Sequence, residues 1–245
     1  MLPETKFATI VGGLHPARFD PYLVAADGHP HRALELYLWN VQLAGAWHET
    51  LALTEVFLRN RIDRELRIWN VSRPPSGPEP PFTELWTERA ARPLNTILRV
   101  PLDRAVRNAV RSRNRRGPDH PRGRAPIDHN DLVSQLTFGV FVNLLPARNA
   151  DSRNSLQRDI LWREALSSGF PHRGSGATDG RALGTQATRL HALRNRVAHA
   201  EPLLDVRSDR RLRDVGRLLA SMDPRFAGWV TGGSRVQDVL KQRPG

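Results

Sequence analysis

The sequence contains no cysteine among its 245 residues. This absence excludes disulfide bonds, thiolate-ligated zinc and cysteine nucleophiles. Long apolar runs are also missing: stretches such as residues 138–145 fall far short of the roughly 20 residues that span a bilayer. The N-terminus lacks a basic stretch followed by an apolar one, which is the pattern of a secretory leader. We therefore expect a cytoplasmic protein with no membrane partner.

Lysine is almost absent, since Lys6 and Lys241 are the only two. Arginine nevertheless gives the chain a formal net charge of +12 and a pI near 11.4. Such a field attracts polyanions, and for a cytoplasmic protein the simplest polyanion is nucleic acid. A GC-rich genome produces the same arginine excess without selection for binding, so the composition leaves both explanations open.

Hydrophobic residues make up 39% of the chain and charged residues 25%, which are ordinary values for a folded globular protein. From His31 to about Trp69, apolar residues recur mostly at spacings of three and four, which predicts helix. This stretch has no proline and a single glycine, so it forms one long helix or two that meet near Gly45. Residues 72–81 contain five prolines and should form a loop.

Downstream, the pattern predicts short helices over residues 82–112, interrupted at Pro93 and Pro101. Residues 113–126 are rich in Arg, Gly and Pro, which predicts a mobile basic loop. That loop either meets phosphate or is simply solvated, because runs of like charge are usually exposed.

Helix signals continue to the C-terminus of the sequence. Asp128 or Asn130 can cap a helix that Pro146 ends. Further helices are predicted over residues 155–166, 185–200, 208–221 and 234–242, with a loop over 169–184. No strand alternation competes with these signals. We therefore predict an all-α helical bundle in which residues 1–30 are an irregular segment and residues 31–245 a single domain.

The candidate site is the string from Leu193 to Pro202. Asn195 and His199 lie four residues apart and share a helical face, and the long side chain of Arg194 suits bidentate contact with phosphate. Pro202 pushes Glu201 out of helical geometry. His199 is therefore predicted in the last turn of the helix, where the helix dipole favours its protonated form.

These three side chains could cleave RNA without metal. An imidazole can move the proton of the ribose 2′-hydroxyl or of the leaving oxygen, and a guanidinium can stabilise charge on the phosphorus oxygens. The same residue types near a helix end could equally form a structural network that caps carbonyls. Spacing alone does not decide between the two.

The string resembles the Arg-Asn-x-x-x-His signature of HEPN-type ribonucleases, and its surroundings resemble the abortive-infection-like (Abi-like) branch of that superfamily. The resemblance covers roughly residues 30–240. Its further segments occur in the family's order: residues 33–40, 55–60, 131–133, 136–139 and 201–203.

The resemblance implies an all-helical, HEPN-like fold and a metal-independent endoribonuclease that needs no cofactor, usually a homodimer with both motifs lining one RNA cleft. It assigns catalysis to Arg194 and His199, with Asn195 orienting them or contacting phosphate. We expect RNA to be contacted by further arginines, namely Arg59, Arg113, Arg115, Arg116 and Arg196. The implied role is an effector of antiviral defence or a toxin with an activator or neutralising antitoxin. Many relatives carry a modifiable tyrosine where this chain has Glu201.

Other candidate sites are weaker. The earlier string of residues 59–64 imitates the motif but has Arg64 in place of histidine, so it offers binding without proton transfer. His120 and His129 occupy loop-like sequence without the carboxylate company of a metal site, and we expect them to be exposed. The alternative to a ribonuclease is a non-catalytic helical module that binds RNA or protein with the same fold.

Overall fold

The computed structural model describes residues 4–75, 77–117, 119–123, 125–146, 154–174 and 180–245. Within these residues every regular element is helical, so the all-α class is confirmed. The helices are α1 Glu4–Gly12, α2 Pro16–Ala25, α3 Pro30–Val71, α4 Leu94–Asn114, α5 His129–Gln135, α6 Phe138–Val142, α7 Ser155–Glu164, α8 Arg181–Ala198, α9 Ser208–Met222, α10 Pro224–Gly232 and α11 Val236–Lys241. A short 3-10 helix, Leu166–Gly169, follows α7.

Helix α3 is the axis of the molecule. It is a single helix of 42 residues, so Gly45 does not break it. It contacts α2, α6, α8, α9, α10 and α11 along its length. Its fully buried side chains, among them Trp47, Leu58 and Leu66, form one core with residues of α8 and α9. Burial of each such side chain contributes about 2–3 kcal/mol, which fixes α8 relative to α3.

Residues 4–12 and 16–25 form helices α1 and α2, so the prediction of an irregular segment over residues 1–30 is wrong. Pro16 opens α2 and Pro30 opens α3, where a missing N–H costs nothing. Phe19 and Tyr22 of α2 are buried in a second small core against the first turns of α3. Helices α1 and α2 are therefore a packed part of the fold.

The two loops and α4 differ in part from prediction. The chain is non-helical from residue 72 to residue 93 in its described residues, which extends the predicted proline-rich loop. Pro101 does not interrupt α4, because buried Leu98 and Ala105 hold the helix against the core on both sides of it. The predicted basic loop begins only after Asn114, since α4 continues to that residue.

The predicted helix before Pro146 is divided into α5 and α6. Leu136 takes an extended conformation between them, which lets Leu136, Phe138 and Phe141 all reach the core. Helix α10 was not predicted, because it contains glycines, which are unfavourable in helices. Its start is nevertheless marked by an N-cap: the Asp223 side chain accepts a hydrogen bond from the Arg225 N–H. None of the described helices has the length and apolarity needed to cross a bilayer.

Candidate functional site

Helix α8 carries the candidate site on its last two turns. Leu183, Ala187, Leu190 and Leu193 form its buried face. Gly184 lets this helix approach the chain that follows α6, because a Cβ there would clash with the Pro146 carbonyl oxygen. The motif is thus carried by an element whose position is fixed by the core.

The end of α8 is a Schellman motif built without glycine. The N–H of Glu201 donates to the Arg196 carbonyl at 2.9 Å, and that of Ala200 donates to the Val197 carbonyl at 3.2 Å. Ala200 adopts a left-handed conformation with φ of 51°, which costs an alanine about 1–2 kcal/mol. His199 is the residue that caps the helix, and it is exposed.

Arg18 of α2 caps the same helix end from outside. Its guanidinium donates to the carbonyl oxygens of His199 at 3.0 Å and of Ala200 at 3.2 Å. A fixed positive charge therefore faces the negative end of the α8 dipole. This contact could not be predicted from the sequence, because Arg18 is 181 residues away along the chain.

The chain after the motif is held by α3. The Asn40 side-chain oxygen accepts a hydrogen bond from the Leu203 N–H at 2.6 Å, and both residues are buried. This bond joins two of the segments that carry the family resemblance, residues 33–40 and 201–203. The fold brings these distant segments into contact behind the motif.

Sequence reasoning missed His191, one turn before the motif. The side-chain nitrogen Nδ2 of Asn195 lies 3.3 Å from Nε2 of His191, so the amide donates to the neutral imidazole. Burial, and secondarily the positive charge of Arg194, lower the pKa of His191, which favours that neutral form. The i, i+4 spacing of His191 and Asn195 was the available signal.

Helix α6 packs against His191. The rings of Phe138 and His191 meet edge to face, with centroids 6.0 Å apart. A Cβ on Gly139 would lie 2.6 Å from the His191 Nε2 atom, so only glycine leaves room for the imidazole. Residues 136–139, another segment of the resemblance, thus set the position of His191 and, through it, of Asn195.

No hydrogen bond joins the predicted catalytic side chains within the described residues. Arg194 is half-buried, and its guanidinium forms no hydrogen bond or ion pair in that part of the chain. His199 makes hydrogen bonds only through its backbone in the same part of the chain. The site therefore presents a free guanidinium and a free imidazole, with Asn195 occupied by His191.

Two of the arginines predicted to bind RNA are engaged in ion pairs. Arg196 contacts Asp205 at 2.7 Å and Glu201 at 3.8 Å, and it also donates to the Pro202 carbonyl. Arg116 contacts Asp131 at 3.0 Å, and its side chain is only 12% exposed. An RNA phosphate would have to compete with these carboxylates.

The other three are available to solvent. Arg113 lies in the last turn of α4 and Arg115 directly after it, both exposed. Arg59 of α3 is half-exposed and forms no ion pair within the described residues. The structure does not bring these three arginines into contact with the motif.

The described residues of the predicted basic loop are held by carboxylates. Arg122 contacts Asp128 at 2.8 Å and Asp131 at 3.0 Å. The same two aspartates form the capping box of α5, which confirms Asp128 as its N-cap. The loop is thus pinned to the start of α5 at Arg116 and Arg122.

His129 is buried, and the expectation that it is exposed is wrong. Its Nε2 lies 2.8 Å from Oδ1 of Asp63, and its Nδ1 lies 2.8 Å from the Thr87 hydroxyl. Burial raises the pKa of Asp63, but hydrogen bonds from His129, Arg67 and Trp86 outweigh it and leave that pKa lowered. This network joins α3, the proline-rich loop and α5. Among the described residues, no group of three or more His, Asp or Glu is arranged to hold a metal ion.

Comparison with known proteins adds no identity. No family model, no curated protein and no solved structure matches the chain.

Proposed function

We propose that the protein is a metal-independent endoribonuclease of the HEPN, Abi-like type that cleaves RNA with Arg194 and His199. The observation that carries the proposal is that neither side chain is engaged by another side chain in the described structure. His199 caps α8 with its ring exposed, and five residues earlier Arg194 has no carboxylate partner in the described structure. A guanidinium without a carboxylate partner and an exposed imidazole at the same end of α8 are the minimum set for phosphodiester cleavage by the 2′-hydroxyl.

In the proposed reaction the ribose 2′-oxygen attacks the adjacent phosphorus. His199 accepts the 2′-hydroxyl proton, and the P–O5′ bond breaks. The leaving 5′-oxygen takes a proton from an imidazolium or from water, which leaves a 2′,3′-cyclic phosphate and a 5′-hydroxyl. Arg194 stabilises the negative charge on the two non-bridging oxygens.

Asn195 acts as a positioning residue in this proposal. Its amide is directed by His191, and His191 is directed by the α6 residues Phe138 and Gly139. Side chains that are held by packing and hydrogen bonds in this way keep reactive groups in a productive geometry.

The family resemblance extends the proposal to partners. It implies a homodimer whose two motifs face one RNA strand, and an activator or antitoxin that controls cleavage, as expected of a cytoplasmic antiviral effector. Light scattering on the purified protein measures whether it is a dimer. Glu201 stands where many relatives carry a modifiable tyrosine, so the proposal includes no control through such a modification.

A second candidate is a non-catalytic module that binds RNA. The observation in its favour is that Arg194 is half-buried and that no hydrogen bond joins its side chain to that of His199 within the described residues. Binding and salt dependence are common to both candidates, and only product chemistry separates them.

The decisive experiment is RNA cleavage in EDTA by the wild type, His199→Ala and Arg194→Ala. His48→Ala is the matched control, since His48 is exposed on α3 far along the chain from the motif. Each protein is first shown to be folded by circular dichroism. We expect the wild type and His48→Ala to give cyclic phosphate ends, and both motif variants to lose at least about 100-fold in rate.

If wild type and variants bind RNA equally and leave it intact, also with cell extract from infected cells added as a source of activator, the protein is a binding module.

A further inference from the structure

A cluster of arginines lies between α8 and α9, on the flank of α8 away from His191. They line a groove of about 720 Å³, within the usual range for ligand sites. Its lining residues are Arg189 of α8 and Arg210, Arg211, Arg213, Asp214 and Arg217 of α9. None of these arginines was singled out from the sequence, because only the packing of α8 on α9 brings them together.

A buried carboxylate organises the floor of this groove. Asp214 is 3% exposed, and it contacts Arg211 at 3.0 Å and Arg189 at 3.4 Å from two different helices. Each guanidinium carries five N–H donors, and one carboxylate can accept only some of them. Asp214 therefore fixes the two arginines in place and leaves donors for a ligand.

The charge of the groove is far from balanced. Arg213 pairs with Asp209 at 3.0 Å, whereas Arg210 and Arg217 are exposed and form no ion pair within the described residues. Five guanidinium groups thus face two carboxylates. Like charges at helical spacing, such as Arg213 and Arg217, destabilise the free protein, and an anion in the groove removes that repulsion.

The simplest alternative is the solvated outer face of an amphipathic helix. On such a face, charged side chains diverge into water. Here α8 contributes Arg189 opposite the arginines of α9, so the charges converge on a concave surface. Convergence from two elements distinguishes a site from an exposed face.

The groove also continues along α8. A second groove of about 340 Å³ shares Arg189, Asp214 and Arg217 with the first and extends to Arg181 and Thr185. From residue 181 to residue 189, α8 rises by about 12 Å. This length exceeds that of a single phosphate.

We infer that the groove between α8 and α9 binds a run of adjacent phosphate groups. The inference does not rest on cleavage by the motif, because Arg189 faces α9 whereas His191 faces α6. Adjacent phosphates occur in a nucleic-acid strand and in a small polyphosphate. Both offer the bidentate oxygens that guanidinium groups prefer.

The test uses the full chain and two probes that the proposed ribonuclease cannot cleave. One is a fluorescent single strand of 20 thymidines, which lacks 2′-hydroxyls, and the other is inorganic tripolyphosphate. The groove variant is Arg210→Gln with Arg217→Gln. The control is Arg104→Gln with Arg163→Gln, an equal loss of charge at exposed positions on α4 and α7. Circular dichroism checks that both are folded.

We expect the groove variant to bind at least one probe about 10-fold more weakly and the control to lose less than about twofold. For the strand, the slope of log affinity against log salt should fall by about 1.4, because each lost phosphate contact contributes about 0.7. A loss confined to tripolyphosphate identifies a small polyphosphate, and a loss that includes the thymidine strand identifies a strand backbone. Equal losses in groove and control variants, or no loss in either, overturn the inference.

If the protein binds these probes in the groove but does not cut RNA, the inference about the groove stands and the proposed ribonuclease activity is contradicted. If the protein cuts RNA but the groove variant binds both probes as well as the wild type does, the ribonuclease proposal stands and the inference about the groove is contradicted.

Discussion

Asn195 reaches His191 rather than His199: its Nδ2 atom lies 3.3 Å from the His191 Nε2 atom, one turn back along α8. The amide can donate there only while the imidazole is neutral. The charge of Arg194 helps to keep it neutral by lowering the pKa of His191, after the larger effect of burial. The three side chains are thus coupled, and the coupling can be measured without any activity assay.

Substitution Arg194→Met should raise the pKa of His191 towards its ordinary value of about 6.5, because it removes the positive charge while keeping a side chain of similar length. An NMR titration of the imidazole protons measures this pKa. Arg64→Met on the exposed face of α3 is the control and should leave it unchanged. An unchanged pKa in Arg194→Met would show that burial alone acts on His191.

The same lowered pKa makes folding stability depend on pH. The unfolded chain binds a proton at His191 near pH 6.5, and the folded chain binds it only at lower pH. The contribution of His191 to stability is therefore complete above pH 6.5 and decreases as the pH falls from there through the folded pKa. Urea unfolding of wild type and His191→Gln between pH 5 and 8 measures this contribution. If the free energy of unfolding changes with pH in the same way for both proteins, the prediction is contradicted.

Gly139→Ala should displace the His191 ring. The added Cβ would lie 2.6 Å from the His191 Nε2 atom, and we expect a loss of about 1–3 kcal/mol in the free energy of unfolding. Gly45→Ala is the control, because its Cβ would meet nothing within 4 Å in the middle of α3. That variant should gain about 0.5–1 kcal/mol. Two equal gains would mean that Gly139 has no packing role.

Ala200→Gly should stabilise the protein by about 1 kcal/mol, because glycine adopts the left-handed conformation of this position without strain. Ala198→Gly, two residues earlier and inside α8, should destabilise it by about 0.5–1 kcal/mol. Thermal and urea unfolding measure both. If both variants are destabilised, the Schellman geometry at the end of α8 is not the one described.

Asp63→Asn should cost about 2–4 kcal/mol at pH 7, because it weakens the buried hydrogen bonds from His129 and Trp86. The folded pKa of Asp63 is lowered, so its contribution is complete above the unfolded value of about 3.9 and disappears as the pH falls through the folded pKa. The difference between variant and wild type should therefore shrink in acid. Asp238→Asn, in an exposed pair with Lys241, should change stability little at any pH.

Regular patterns were readable from the sequence. The spacing from His31 to Trp69 predicted α3, and Asp128 correctly marked the start of α5. These features depend on neighbours within one or two turns. Residues 1–30 were predicted to be irregular, although Pro16 and Pro30 each open a helix.

Contacts between residues that are far apart along the chain could not be predicted from the sequence. Trp229 is 64% exposed and meets the ring of Phe57 edge to face, which no sequence pattern indicated. His129 was expected in solvent, and its burial depends on Asp63, 66 residues away. At the site, sequence named Arg194, Asn195 and His199 but could not show that His191 directs Asn195. It also gave no sign that Arg189 meets the arginines of α9.

The bond from Arg18 to the carbonyls of His199 and Ala200 has a consequence for synthesis. It joins residues 181 positions apart, so α1 and α2 leave the ribosome long before their partner exists. The last turn of α8 gains its external cap only after residue 200 has emerged and folded back onto α2. A cell that makes this chain therefore completes the end of the motif helix long after Arg18, the residue that caps it, has been synthesised.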